Sequence, residues 1–208
     1  MNLLKYYTKF LFKPLIYRFP PIMIQPERLM LWQQTLIATE EVDGEVVEIG
    51  CYLGGTAAVS KKMMGNLGNH KPYRVYDTFA GFVAGQWKAD YGTTSRTGDF
   101  SSNSTALTRW VLDRHGGKDV AIHKGDIATL PDHELPKAIS ACLLDVDLGD
   151  PIYIGLTRIF PLLQPGGTVL VDDCIEGDWY KARVGYERFM KELGRSPIYK
   201  FGMGILTK

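Results

Sequence analysis

The chain has 208 residues, with 24 basic against 23 acidic and a formal net charge of +1, a length that suits one domain with a short extension and a sizeable core. That balance carries no polyelectrolyte signature, so nucleic acid is not an expected partner. The three cysteines, Cys51, Cys142 and Cys174, lack metal-knuckle spacing and would leave an odd thiol if two paired, which points to a reducing, cytoplasmic interior and to burial as their role.

In chain order, Met1 to Phe19 mixes Leu3, Leu4, Tyr6, Tyr7, Phe10, Leu11, Phe12, Leu15, Ile16 and Tyr17 with Lys5, Lys9, Lys13 and Arg18. The charges recur too often for a membrane span and no small-residue cleavage site is present, so neither a transmembrane helix nor a signal peptide is expected. A basic amphipathic helix of this kind can lie on a membrane surface. Packing on its own domain or on a second subunit is the preferred expectation, because the aromatic residues are not confined to one narrow face. Pro20-Pro21 ends the segment, and a second helix is expected from Pro26 to about Thr39 with Pro26 in its first turn. Residues 1–40 are thus read as a helical arm and 41–208 as the main domain.

From Glu45 the pattern alternates strand and helix. Val46 to Gly50 reads as a strand, Gly55 to Met64 as a helix and Tyr73 to Asp77 as a second strand. Thr78 to Ser102, with Gly81, Gly85, Gly92 and Gly98, reads as a long loop, and such loops are usually lids or binding loops. A helix is expected over Ser104–His115, a strand over Val120–His123, a strand over Ile139–Asp145, a helix over Ile152–Leu163, a strand over Gly167–Val171 and a helix over Tyr180–Leu193. Two short strands about Gly202-Met203-Gly204 close the pattern. Parallel strands need crossover connections, so this order predicts an α/β fold: a doubly wound, mostly parallel, Rossmann-like sheet with helices on both faces and a C-terminal antiparallel hairpin.

In such sheets ligands bind beyond the carboxyl ends of the strands, so the residues ending each strand carry the functional reading. The first strand breaks into Glu48-Ile49-Gly50-Cys51-Tyr52-Leu53-Gly54-Gly55-Thr56, a turn that allows close backbone approach and aims the first N–H groups of a helix at a ligand. No Lys precedes Thr56, which disfavours a triphosphate loop, and the glycine spacing departs from the dinucleotide fingerprint. A ligand with a cationic amino-acid group suits Glu48 better than a pyrophosphate does. Asp77 ends the second strand where a ribose hydroxyl pair would be held, and Asp126 follows the third, near an adenine edge. His123 reads as a strand or core histidine. The fourth strand ends in Asp145-Val146-Asp147 and the fifth in Asp172-Asp173, and these acids would repel one another unless protons or a cation compensate. Hard oxygen ligands without His or Cys suit magnesium, with manganese or calcium as alternatives. The expected ligands are Asp145, Asp172 and Asp173, with Asp147 behind them or capping a helix.

Taken together, these motifs resemble the class I S-adenosylmethionine-dependent methyltransferases, and most closely the macrocin O-methyltransferase family. The match runs over roughly Gly44 to Phe189: Glu48-Ile49-Gly50 with Gly54-Gly55, Asp77-Thr78-Phe79-x-Gly81, Lys124-Gly125 with Thr129-Leu130-Pro131, Leu144-Asp145-Val146-Asp147, Pro165-Gly166-Gly167, Asp172-Asp173, and Trp179-x-x-Ala182-Arg183 before Phe189. The resemblance implies methyl transfer from S-adenosylmethionine to a hydroxyl, usually of a sugar in a natural product, with magnesium at the acceptor. It places Glu48 through Gly55 near the methionine part, Asp77 on the ribose and Asp126 near adenine, with Thr56, Thr78, Phe79 and Asp145 also among the cofactor-binding residues. It also implies homo-oligomers. Thr78 replaces a usual Ser, no Pro follows Gly81-Phe82, Leu148-Gly149 stands where an aromatic is usual, Cys174 replaces a common Tyr and Lys181 a frequent Gly. These departures bear on the acceptor and leave the cofactor reading intact.

Oxygen, carbon and sulfur must lie in line in such a transfer, so positioning supplies much of the rate. Magnesium on the three aspartates would bind the acceptor oxygen and favour its deprotonated form. Asp145 is the expected base by position, a role the sequence does not separate from that of ligand. The loop 80–102, with Trp87, Tyr91 and Arg96, is expected to close over the acceptor. Two other readings stand beside this one: a nicotinamide-dependent oxidoreductase on a similar sheet, and a methyltransferase-like binding protein without turnover.

Overall fold

The computed structural model describes residues 12–208. Residues 12–16 are helical and the chain turns at 17–19; the rest of the helix expected over Met1–Phe19 lies outside the described residues. The elements that follow are α1 (Pro26–Ala38), β1 (Glu45–Ile49), α2 (Gly55–Asn66), β2 (Tyr73–Asp77), α3 (Ala84–Tyr91), α4 (Thr105–His115), β3 (Ala121–Lys124), β4 (Ile139–Leu144), α5 (Gly149–Ile159), β5 (Leu163–Val171), α6 (Ala182–Glu192), β6 (Tyr199–Lys200) and β7 (Met203–Thr207). The sheet runs β3-β2-β1-β4-β5-β7-β6, parallel from β3 to β5 and antiparallel through β7 and β6. This is the expected doubly wound sheet, and its order reverses between β1 and β4, where the chain leaves a crevice at the strand ends.

The strand period of two divides the core. Val47 and Ile49 of β1, with Cys142 and Leu144 of β4, pack against Ile152, Leu156 and Ile159 of α5 and Tyr186, Phe189 and Met190 of α6. Val46, Ala141 and Leu143 face the other way, onto Leu31, Trp32 and Leu36 of α1 and Ala57, Ala58 and Met64 of α2. Every residue of β4 is buried, as a central parallel strand requires. Helix α1, counted with the arm in the sequence, thus belongs to the main core. All three cysteines are free and buried.

The structure differs from expectation at several joints. The segment 78–102, expected as loop, contains α3, a short helix with one buried anchor, Trp87, and a left-handed Gly92 at its end. Helix α5 starts at Gly149 instead of Ile152, because Gly149 N–H donates to Asp90 Oδ2 (2.8 Å) from α3. Asp150 lies in the first turn of the helix and pairs with Arg188 at 3.1 Å. Strand β5 begins four residues early, at Leu163: its pairing with β4 shifts register between Ile139 and Ala141, and left-handed Gly166 donates to Lys208 O across the next strand. The chain absorbs the turn residues as a bulge instead of ending the ladder there.

Candidate active site

The carboxyl ends of β1, β2, β4 and β5 open into a cleft of about 430 Å³, lined among others by Gly50, Asp77, Thr78, Asp126, Asp145 and Asp172. Its volume lies in the range of small-molecule and cofactor sites. Gly50 has φ +90°, and a Cβ there would stand 1.7 Å from the carbonyl oxygen of Asp145. Only glycine lets β1 and β4 close on each other at the base of the cleft, where Asp145 N–H donates to Ile49 O at 2.8 Å.

The other glycines of this turn serve the protein's own packing. A Cβ on Gly55 would lie 2.2 Å from Pro21 O, and one on left-handed Gly54 would meet Thr108 and Leu112. The start of α2, expected to present free N–H groups to a ligand, is therefore covered by the Pro20–Ile22 segment. Gly54, Gly55 and Thr56 lie outside the cleft lining, and Thr56 is buried. Glu48 is buried and accepts Tyr73 Oη at 2.8 Å; Tyr73 Oη in turn receives Trp32 Nε1 at 3.3 Å. Burial pushes its carboxyl up to about 8 against the opposing hydrogen bond from Tyr73, so at neutral pH it is largely a neutral acid beneath β1, outside the lining residues. The structure does not bring Glu48 to an open position for a cationic group.

Asp77 does reach the cleft. Its Oδ2 accepts Tyr52 N–H (2.8 Å), and its Oδ1 accepts Phe79 N–H (2.7 Å) and Asn103 Nδ2 (3.1 Å). A carboxylate has about four acceptor positions; the three donors leave one, on Oδ2, for a hydroxyl. Burial raises the Asp77 carboxyl, and these same hydrogen bonds hold it down. Thr78 lines the cleft while its Oγ1 donates to Gly81 O at 2.8 Å. Phe79 is buried behind Asp77 with φ +51°. Asp126 Oδ1 accepts Ala128 N–H (2.9 Å) and its Oδ2 accepts Gln86 Nε2 (2.6 Å), so α3 spans the cleft to meet it.

Opposite this end, Asp145, Asp147 and Asp173 each offer an oxygen within 4.8 Å of the others. All three line the cleft. Loss of water raises Asp145 well above the usual carboxylate range, with Asp172, Asp147 and Asp173 adding repulsion. Asp147 rises likewise, by burial first and then by its hydrogen bond and charge contact with Asp173. Asp147 and Asp173 also hold φ +63° and +52°, a left-handed conformation that costs on the order of 1 kcal/mol and that Asp tolerates better than most residues.

Of the expected ligands, Asp145 and Asp173 are in this cluster and Asp147 is the third member. Asp172 turns its Oδ1 to Arg28 Nη1 (2.6 Å), which also meets Asp173 Oδ1 (2.6 Å), while Arg28 Nε donates to Phe201 O at 3.1 Å. Burial and Asp173 push Asp172 up to about 6, with Arg28 opposing. Arg28 was absent from the sequence-based site, since its partner Asp172 lies 144 residues away. One signal was present: it shares the buried stripe of α1 with Leu31, Trp32 and Thr35, an unusual place for an unpaired cation. Gln86 and Asn103 carried no local signal.

An aromatic wall flanks the acidic end. Trp87 stacks on Tyr91 (centroids 4.3 Å apart) and Tyr91 on Trp179 (5.0 Å), with Tyr91 Oη donating to Trp179 O at 2.9 Å. Trp87 is buried, while Trp179 is half exposed.

A family model described as macrocin O-methyltransferase (TylF) matches residues 18–194. No curated protein matches the chain by sequence. Among solved structures, the O-methyltransferase NovP superposes with a TM-score of 0.77 at 17% identity, covering 90% of this chain and 81% of that one. CalS11, a calicheamicin methyltransferase, gives 0.72 at 17% identity over 97% of this chain and 85% of its own; its apo form is described as a TDP-rhamnose 3′-O-methyltransferase. TomG from Streptomyces achromogenes, an O-methyltransferase of tomaymycin synthesis solved with S-adenosylmethionine, gives 0.55 at 17% identity over 98% and 89% of the two chains. At these identities the structural likeness shows the fold.

Proposed function

Because the chain belongs to the macrocin O-methyltransferase family, we propose that its cleft binds S-adenosylmethionine and, with a divalent cation at the acidic cluster, methylates a hydroxyl of a sugar-like acceptor. The observation that carries this reading is the meeting of two chemistries in one cavity: Gly50 and Asp77 at one end and the three carboxylates at the other. A sugar hydroxyl is supported by family membership and by CalS11, whose described acceptor is TDP-rhamnose.

The residues present suit a hard cation. Three half-buried carboxylates converge at one end of the cleft, their charge is compensated only in part by Arg28 at Asp172 and Asp173, and oxygen donors without nitrogen or sulfur favour magnesium. Asp145, Asp147 and Asp173 would hold it; Asp172 would need to exchange Arg28 to take part. When bound, the ion would make the acceptor hydroxyl more acidic, so that a weaker base suffices to take its proton.

The chain's own residues supply the rest. Asp77 holds a ribose hydroxyl on its remaining Oδ2 position, and Thr78 and Asp126 line the nucleoside end. Tyr52, Phe82 and Tyr180 line the cleft, with the Trp87–Tyr91–Trp179 stack packed behind Phe82, and this aromatic side excludes water from the acceptor. In the transfer the acceptor oxygen bonds to the methyl carbon as the carbon–sulfur bond breaks, leaving S-adenosylhomocysteine, and the hydroxyl proton passes to a carboxylate of the cluster, Asp145 by its place at the end of β4, which a cation beside it would keep ionised. The test is transfer from methyl-labelled S-adenosylmethionine to a panel of glycosides and nucleotide sugars, with magnesium and after chelation. Labelled product with magnesium, lost on chelation and restored by the metal, is expected. Transfer that survives chelation would remove the cation, and labelling confined to non-sugar acceptors would remove the sugar.

A further inference from the structure

We propose that the face formed by residues 12–19 and α4 docks on an anionic phospholipid membrane surface. Only Tyr17 of this segment packs inward, against Leu53 and Val111, and its carbonyl oxygen is hydrogen-bonded by His115 Nε2 at 3.0 Å. Four large apolar residues around it point outward: Phe12 is 53% exposed, Leu15 74%, Ile16 51% and Phe19 73%. The preferred reading of the sequence, an arm packed on its own domain or on a second subunit, is met by the Tyr17 ring, while among the described residues Phe12, Leu15, Ile16 and Phe19 remain exposed. A monomer rarely exposes so many large apolar side chains on one short segment unless the surface meets something.

The charge around these residues says what. Lys13 Nζ and Arg114 Cζ lie 5.1 and 5.5 Å from the Trp110 ring centroid, on the same face, and Arg18 stands beside Phe19. The neighbouring acids are engaged: Asp113 pairs with Arg109 at 3.2 Å and Asp119 with Lys61 at 3.0 Å. In the sequence, Lys5, Lys9, Lys13 and Arg18 precede the first acid, Glu27. Exposed apolar side chains beside the partly exposed Trp110 and an excess of basic residues are the two signals a peripheral membrane contact combines, insertion and attraction to anionic headgroups. A second copy suits the face less well. A two-fold contact would bring a second set of the same basic residues onto this face and add like charge to it. No helix among the described residues is long and apolar enough to cross a membrane, so the contact is peripheral.

Co-sedimentation of the full chain with vesicles of mixed phosphatidylglycerol and phosphatidylcholine, against phosphatidylcholine alone, tests this. Binding to the anionic vesicles, weakened by salt, is expected, with the doubly substituted Leu15→Glu, Phe19→Glu protein at background. Arg18→Gln should weaken it about fivefold, and it keeps the test open should the double variant fail to fold. Donor affinity unchanged in the double variant shows that the cleft is intact. No sedimentation of the intact chain with anionic vesicles would overturn the proposal, as would binding that ignores these substitutions. A dimer that the double variant splits, without vesicle binding, would assign the face to a second copy.

Discussion

Replacing Arg28 by methionine is expected to destabilise the metal-free protein by about 3–5 kcal/mol, because it removes one partner of a buried ion pair and leaves the other charges uncompensated. Arg28 is 2% exposed and its Nη1 stands 2.6 Å from both Asp172 and Asp173. For a chain of this size the loss corresponds to a fall in Tm of roughly 6–20 °C. Without Arg28 the Asp172 carboxyl, already up to about 6, moves higher. The native state then holds protons that the unfolded chain releases, so stability is greatest at low pH and declines as pH rises from the ordinary Asp value through the raised one. Acid and magnesium should both restore part of what the substitution removes, the metal by binding the native state alone. Arg74→Met, which breaks a pair with Glu45 that is about a quarter exposed, should cost about 1 kcal/mol or less. Thermal melts of both variants at two pH values check this; a Tm for R28M no lower than that of R74M would contradict it.

Asp145→Asn is expected to lower kcat by about 10²–10⁴-fold, while making the metal-free protein more stable at neutral pH. The two effects have one cause. Asp145 is raised by burial and by the charges of Asp172, Asp147 and Asp173, so a neutral side chain of the same shape relieves repulsion in the native state. The sign again follows from linkage: the wild-type protein loses stability as pH rises through the raised carboxyl, the variant does not, and its advantage grows with pH. Magnesium should stabilise the variant less than the wild type, because one of its three oxygen donors is gone. Paired melts and single-turnover transfer measure both. A variant less stable than wild type without metal, or one that retains transfer, would show that Asp145 is neither strained nor at the chemistry.

The sheet was legible because its strands are apolar runs separated by helix-length segments, and neither Val46-Val47 nor the Ile139–Leu144 run depends on distant contacts to be recognised. Helix α3 was hidden by glycines at 81, 85 and 92 and by having only Trp87 to bury. The start of α5 was hidden because its cap, Asp90, comes from that unrecognised helix. The strand order brought the acids ending β4 and β5 together, but Asp172, expected as a ligand, turns to Arg28, and Asp147, expected behind the ligands, joins Asp145 and Asp173 in the cluster. Three features of the site did not follow. The close approach that Gly55 permits is taken by the chain's own Pro21, which no local spacing encodes. Glu48 shares the face of Val46, toward α1 and α2, and there meets Tyr73; the period-two pattern contained this, but the position of an acid at a strand end outweighed it. The partnership of Arg28 with Asp172 joins α1 to the end of β5, and only the folded chain brings them together.

The most direct measurement is calorimetric titration of metal-stripped protein with S-adenosylmethionine, with and without magnesium, and with a nicotinamide dinucleotide as control. Saturable binding of the methyl donor and none of the dinucleotide is the result this account predicts. A folded sample that ignores the donor under both conditions, or that takes the dinucleotide instead, would contradict it.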